Sequence, residues 1–471
     1  MGAAILAVIL GLLFRDRRRG ALVATPIVVG LTMYGHGANL LRPLGIPGVA
    51  QQAGWILLVV GAILLAVLAG DRVVRTLDTA FNRVAALLVL VALVAIVPFQ
   101  LASMAQRPAV AQDPVRQATT TADKRDVYWL VFDRYGSDRS LKLAYDIDND
   151  LTPWLEDRGF QVLADSHANY IRTVLSMATT LQMAHVDAIA PAQDPASRDL
   201  APLIEALQDP PVARQFKALG YRYIHVGVQH DPTRADRGAD VNLNVSLAPL
   251  DFVEALYDVS AAPVIARRLR LQPEDPTRER QFRYSTYGLN ALEGLRDEPG
   301  PKFVLGHILV PHPPMVFDRD GSFIGAADIA DMPWIEQYRR QLDFTNRRIR
   351  EIVGGLLMLP EDRRPIIILQ ADEGPYPRSY ARDRKSSNEW AAGASGDDFE
   401  IKFGILNAWY MPGGEDLGLD PAMSAINTFP TLFADYFGLD YEPLPDRVYA
   451  SPSWFRPYDL TDITDRLPSL R

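Results

Sequence analysis

Three stretches without a charged side chain, residues 20–41, 43–70 and 84–106, constrain this 471-residue chain more than any other feature. Each is dominated by Ala, Val, Leu, Ile and Gly and meets the roughly 20 apolar residues that a helix needs to cross a bilayer. The pattern predicts three full spans within residues 1–106. A fourth apolar stretch, residues 1–14, is short for a crossing and stands in front of Arg15-Asp16-Arg17-Arg18-Arg19. A cleavable signal peptide carries its basic residues before the apolar run, so residues 1–14 read instead as a short or partial span.

Charge orients this bundle. Residues 1–104 hold 8 Arg and 3 Asp, and seven of those arginines lie in Arg15–Arg19 or in the loop of Arg72, Arg75 and Arg83, against one near Arg42. The positive-inside rule places the first two groups in the cytoplasm, sends the third full span outward, and puts everything after about residue 107 outside the cytoplasm. The rest of the chain is acidic, with 40 Lys+Arg against 54 Asp+Glu. Nucleic acid is therefore not an expected partner, because backbone binding needs a basic face. The chain has no Cys, which excludes disulfide scaffolds, thiolate metal sites and a cysteine nucleophile.

Residues 107–125 lack apolar periodicity, are rich in Ala, Gln, Thr and Pro, and read as a linker to a domain over 126–471. In that domain short β-rich runs, VYWLVF (127–132), YRYIHV (221–226), KFVLGHIL (302–309) and PIIILQ (365–370), alternate with helical patterns. This alternation predicts an α/β fold with a mostly parallel central sheet and helices on both faces. The spacing of Ile335, Tyr338, Leu342, Ile349, Ile352 and Leu356 predicts a helix over about 334–358, with Arg339, Arg340, Arg347 and Arg350 on its solvated side.

Three of these strands end in chemistry: Asp133 after the first, His307 and His312 around HILVPH, and Asp372-Glu373 after PIIILQA. Ligands of open α/β sheets bind outside the carboxyl ends of strands, so these groups should meet on one rim. For any single Asp, the competing role is to cap a helix or open a turn. Carboxylates held together repel unless a cation joins them, which points to one divalent metal ion. Oxygen donors and the lack of Cys favour Mg²⁺, Mn²⁺ or Ca²⁺, with Zn²⁺ in play if a histidine takes part.

Five motifs in this order, VYWLVFDRYG, NYIRTVLSMATTL, GHILVPHPPMVFD, QADEGP and SAINTFPTLFADYFG, resemble the sulfatase-like branch of the alkaline phosphatase superfamily, over about residues 126–440. The resemblance is to its bacterial membrane-anchored members, and more loosely to lipoteichoic acid synthases and phosphoethanolamine transferases. It implies that Asp133 binds the metal, that Thr173 of Thr173-Val174-Leu175-Ser176 is the attacking residue and also a metal ligand, that Asp372 and Glu373 complete the ligand set, and that His312 contacts the substrate oxyanion or leaving group. The physics agrees for Thr173, since a metal favours the alkoxide and a helix N-terminus favours an anionic group. A simple N-cap is its structural alternative. His307 reads as a buried histidine of its strand, and His167, His185, His225 and His230 have no motif support.

Two departures from the family pattern stand out. Asp372-Glu373 replaces the usual Asp-His, so Glu373 either binds a metal as a carboxylate or marks a lost active site. Arg134 follows Asp133 where sulfatases have paired acids. Threonine at position 173 also argues against formylglycine chemistry, which starts from Cys or Ser.

The resemblance thus implies a multi-pass protein of the bacterial plasma membrane whose extracytoplasmic domain is a metal-dependent hydrolase or transferase. Its substrates would be phosphoesters, less readily sulfate esters, of lipid headgroups or envelope glycopolymers, handled through a covalent Thr173 intermediate. The alternative is an inactive domain of the same fold that binds an envelope polymer or partner. A transporter rests on the spans alone, which offer only His36 as an intramembrane titratable group.

Overall fold

The computed structural model describes residues 2–41, 44–105, 115–116, 124–246, 256–257, 259–269, 275–377, 390–414, 417–452 and 455–470. Arg42 and most of the expected linker lie outside them. The chain divides into two compact units, Met1–Arg107 with Ala248–Glu274, and Pro108–Leu247 with Asp275–Arg471.

In the first unit α1 (Gly2–Leu13) turns back through Arg15 into α2 (Arg17–Thr32). The crossing is so close that a Cβ on Gly20 would lie 2.2 Å from the Gly11 nitrogen, which only glycine allows. After α2 come α3 (Tyr34–Leu41), α4 (Gly48–Leu68) and α5 (Asp71–Ala105). Two helical stretches, Gly48–Leu68 and Asp71–Pro98, are long and apolar enough to cross a membrane. The first expected span is bent: α2 and α3 meet at 58°, so the count reaches three only if that pair is one span. Two arginines in the first turn of α2 are tied to the acids of α5, with Arg19 Nη2 3.0 Å from Asp71 Oδ1 and Arg18 Nε 3.6 Å from Asp78 Oδ2.

The second unit is built on a seven-stranded sheet in the order β2-β7-β6-β1-β5-β3-β4. Its strands are β1 (Val127–Phe132), β2 (Phe160–Val162), β3 (Arg222–Val226), β4 (Val241–Leu243), β5 (Lys302–Ile308), β6 (Ile366–Gln370) and β7 (Asn407–Tyr410). Strands β4, β3, β5, β1 and β6 run parallel, and β7 is antiparallel to β6 and to β2. The sheet is mostly parallel, as the alternation of strand and helix patterns predicts.

Both faces of β1 are buried, because its side chains alternate between two cores. Tyr128, Leu130 and Phe132 pack with Leu342, Ile349, Ile352 and Leu356 of the long helix Trp334–Leu357 and with Leu289 and Leu292 of the helix Pro276–Gly294. Val127, Trp129 and Val131 pack on the other face with Val174, Leu175 and Leu181 of the helix Thr173–Gln182 and with Phe216, Phe303 and Phe429. The long helix closes as its apolar period requires. Arg340 and Arg350 on its polar side pair with Asp318 and Asp150 at 3.0 and 2.8 Å.

The second core is aromatic at its centre. The fully buried Phe429 meets Trp129 edge-on at 5.0 Å and lies 5.9 Å from Phe303. Truncating such a ring removes transfer energy and leaves a cavity that rigid neighbours cannot fill. Phe429→Ala is expected to destabilise the α/β unit by about 3–5 kcal/mol, measured as a lower urea midpoint with unchanged slope in unfolding followed by tryptophan fluorescence.

Candidate metal and nucleophile site

The site follows from strand order. Strands β5, β1 and β6 are adjacent and parallel with β1 in the middle, and Val131 is level with both His307 and Gln370. The residues at or just beyond these three ends, Asp133, His307 and Asp372, are therefore delivered to one rim. All three are at most 2% exposed. Each offers a ligand atom within 4.8 Å of the others.

Thr173 joins them at the first turn of its helix. Its hydroxyl donates to Asp133 Oδ2 at 3.3 Å, and His307 Nε2 lies 3.5 Å from the same oxygen. The other ring nitrogen of His307, Nδ1, is 2.9 Å from Thr233 Oγ1, which fixes the ring plane. Two non-glycine residues with left-handed φ flank the group, Arg134 at 62° and Arg172 at 79°. Such conformations persist only where the surroundings impose them. Here they aim backbone N–H groups at carboxylates: Arg134 N donates to Asp372 Oδ1 at 3.3 Å, and Arg172 N to Glu373 Oε2 at 2.6 Å.

Asp133 Oδ1, His307 Nε2 and Asp372 Oδ2 are buried and make no hydrogen bond among the described residues. Buried polar atoms are nearly always satisfied, so three such atoms converging from three strands call for a common partner. Two carboxylate oxygens, an imidazole nitrogen and an adjacent hydroxyl are a donor set that suits a divalent cation.

Glu373 stands in a different environment. Its Oε1 is 2.9 Å from Arg134 Nε and 2.8 Å from Lys402 Nζ, and it is not one of the three clustered ligands. Tyr376 covers both cations, with Arg134 Cζ 4.7 Å and Lys402 Nζ 4.1 Å from its ring centre. His312, the other motif histidine, donates from Nδ1 to the Pro313 carbonyl. Three residues of this arrangement have no motif role in the sequence: His307, which reads as a strand histidine, and Arg134 and Lys402. Only His307 carries a signal, its place at a strand end beside two others that end in acids.

The electrostatics separate the carboxyls. Burial opposes ionisation of Asp133, but His312, His307 and Arg134 outweigh it and hold this carboxyl well below the usual range. Burial, the Asp133 charge and the Glu373 charge push Asp372 well above that range. Burial also acts against the Glu373 anion, and Lys402 and Arg134 overcome it and keep it ionised. Lys402 is brought down to about 8 by burial, partly offset by Glu373. His312 falls to about 4, through burial and then the Arg134 charge, and is neutral at neutral pH. Without a cation the rim therefore favours the anion at Asp133 and disfavours it at Asp372, the division that like charges in close contact enforce.

No family model and no curated protein matches the chain. Solved structures do. The C-terminal periplasmic domain of EcEptC from Escherichia coli, in complex with Zn, aligns at 13% identity and TM-score 0.47 over 76% of this chain and 98% of that one. The integral membrane lipooligosaccharide phosphoethanolamine transferase A (EptA) of Neisseria meningitidis aligns at 12% identity and TM-score 0.42 over 84% of this chain and 71% of that one. The phosphonate monoester hydrolase of Agrobacterium radiobacter aligns at 13% identity and TM-score 0.42 over 69% and 80%. These neighbours, with a 2-O GAG sulfatase beside them, belong to the sulfatase-like group of the alkaline phosphatase superfamily.

A carboxyl whose pKa rises on folding costs stability once the pH passes its unfolded value, about 3.9, and the cost grows until the pH passes the folded one. Metal-free protein is thus expected to lose stability through Asp372 as the pH rises above the ordinary carboxylate range. A divalent ion, which displaces that proton, should raise the melting temperature more at pH 8 than at pH 5. Asp372→Asn should stabilise the metal-free protein at pH 8 and abolish the stabilisation by Zn²⁺ or Mn²⁺, both read by thermal shift.

Proposed function

We propose that this chain is a membrane-anchored, metal-dependent phosphoester transferase or hydrolase whose 126–471 domain works outside the cytoplasm, carried by a multi-pass anchor within residues 1–106. What supports this reading most is the meeting of three buried, unsatisfied donor atoms with the Thr173 hydroxyl at the start of a helix. Asp133, His307 and Asp372 would hold the ion, with Thr173 Oγ beside it. With His307 among the ligands the donor set is mixed, and Zn²⁺ stands level with Mn²⁺ and Mg²⁺. A bound divalent ion supplies charge stabilisation for the Thr173 oxygen and for the phosphoryl group.

The residues of the chain account for the remaining steps. The Thr173 hydroxyl proton faces the ionised Asp133 carboxylate, which leaves an oxygen lone pair for attack on phosphorus. The Thr173 proton passes to Asp133 and on to the leaving oxygen as the new Oγ–P bond forms and the bond to that oxygen breaks, and the phosphothreonine sits at the positive end of its helix. With Nδ1 of neutral His312 donating to the Pro313 carbonyl, Nε2 carries the free lone pair and can take the proton of the water or sugar hydroxyl that resolves the intermediate. Glu373, neutralised by Arg134 and Lys402, acts as a positioning residue that fixes the Arg172 N–H and the strand end. Lipid headgroups or envelope glycopolymers bearing anionic esters suit a domain held at a membrane surface.

A second reading has one observation in its favour. Glu373 is engaged by two cations, so the position that holds a metal-binding histidine in the resembling family is out of the ligand set, as in a domain that binds an anionic polymer without turnover. The two readings part at Thr173. Thr173→Ala is expected to lower phosphodiester turnover by on the order of 10³-fold or more and to remove a phosphate adduct seen by intact-protein mass spectrometry, with metal binding retained. Turnover equal to the parent's, or no adduct in the parent under single-turnover conditions, would leave only the binding role.

The absence of Cys makes topology directly measurable. A cysteine introduced in place of Ser197 should react with a membrane-impermeant maleimide on intact cells, and one in place of Asp16 only after permeabilisation. The reverse pattern would invert the anchor.

A further inference from the structure

The segment Ala248–Glu274 interrupts the α/β domain in sequence and belongs to the unit of apolar helices. Its attachment uses the bend between α2 and α3. A bend in an apolar helix frees backbone groups that must find partners, most strictly where no water reaches. The Leu31 carbonyl accepts from the Ala261 N–H at 2.7 Å, and the Gly35 N–H donates to the Val259 carbonyl, also at 2.7 Å. Residues 259–261 thus supply what the broken ladder lacks, and the short helix Ala262–Arg268 follows directly.

Between that helix, α2 and α4 lies a groove of about 550 Å³, within the roughly 300–1,000 Å³ typical of small-molecule sites. Its depth is aliphatic, formed by Ile27, Val59, Val60 and Ile63, and its upper wall carries Tyr34 and Trp55. The two rings meet edge-on at 6.1 Å, and Trp55 Nε1 is held by the Gly30 carbonyl at 2.9 Å. Gly30 is required there, since a Cβ would lie 2.6 Å from Val59. Aromatic side chains of this kind mark the level of the membrane–water interface. At the mouth Arg268 donates to Gln52 Oε1 at 2.8 Å, and no carboxylate pairs with it among the described residues. In the sequence it stands in Arg267-Arg268-Leu269-Arg270.

We propose that this groove is a binding site for an anionic phospholipid, with one acyl chain along the aliphatic floor and the phosphate on Arg268. The charge of the mouth decides the class. A groove open to lipid accepts any acyl chain, but an exposed guanidinium with no acid partner among the described residues, beside interfacial aromatic rings, favours a headgroup with net negative charge. The site is distinct from the carboxylate rim, and its occupancy is independent of whether Thr173 turns over.

Trp55 is the one tryptophan in the unit of apolar helices, so lipids with brominated tails report on this groove while the other tryptophans serve as background. Full-length protein in phosphatidylcholine nanodiscs is titrated with either tail-brominated phosphatidylglycerol or tail-brominated phosphatidylcholine, and the Trp55 signal is taken as the difference from Trp55→Phe. Phosphatidylglycerol is expected to reach half-maximal quenching at about fivefold lower mole fraction. Arg268→Gln should erase that preference, Arg268→Lys should retain it, and Val60→Phe, which fills the floor, should reduce quenching by both lipids. Equal quenching by the two lipids in the parent protein, or a preference that survives Arg268→Gln, would overturn the assignment.

Discussion

Adjacency of three parallel strands governs everything else in the α/β unit. Because β5, β1 and β6 point the same way in neighbouring positions, their carboxyl ends bring Asp133, His307 and Asp372 to one point, and all three are buried there. Burial there disfavours charge. The group nevertheless holds the Asp133 carboxyl well below the usual carboxylate range and pushes Asp372 well above it. A site with this imbalance is prepared for a cation, because the ion replaces one proton and satisfies three orphaned atoms together.

The same constraint explains the shape of the surroundings. Residues 134 and 172 adopt left-handed backbone although neither is glycine. In that conformation their N–H groups face the carboxylates of Asp372 and Glu373, and each contact offsets part of the local strain. A relaxed loop at 172 would turn its N–H away from Glu373 Oε2, whereas Asp372 Oδ1 also accepts from the Glu373 N–H at 2.9 Å.

Most of the fold could be read from the sequence because its strands are short, apolar on both faces and bounded by turns. VYWLVF and PIIILQ coincide with β1 and β6 to within a residue, and the 3.6-residue period of Ile335 to Leu356 coincides with the long helix. The bend at Met33 was not legible, since an uncharged run reads alike whether straight or broken, and the partners of the broken ladder lie more than two hundred residues onward, at Val259 and Ala261. At the site, Asp133, Thr173 and Asp372 are legible from strand ends and motif order. His307 is legible as a strand-end group but not in its role, because a histidine within an apolar strand looks the same whether it packs or coordinates, and only pairing with β1 tells which. Lys402 has no local signal: it sits near the end of the helix Gly396–Phe403 and becomes relevant only when that helix brings it to Glu373.

The pair of departures from the family pattern, Glu373 for histidine and Arg134 for a second acid, reads differently once both side chains are placed. Alone, either would unbalance a buried site by a full charge. Together they form an ion pair at 2.9 Å that Lys402 reinforces at 2.8 Å. A buried carboxylate with two cations on one oxygen is a poor metal ligand, since its lone pairs are already engaged and an incoming ion would meet two like charges. The nitrogen missing from the end of β6 has a counterpart across the sheet at His307 on β5, on the other side of β1. In the proposed reading the coordination sphere is therefore moved rather than lost: one imidazole still faces two aspartates and a threonine hydroxyl, and the vacated corner has become an ion-paired strut.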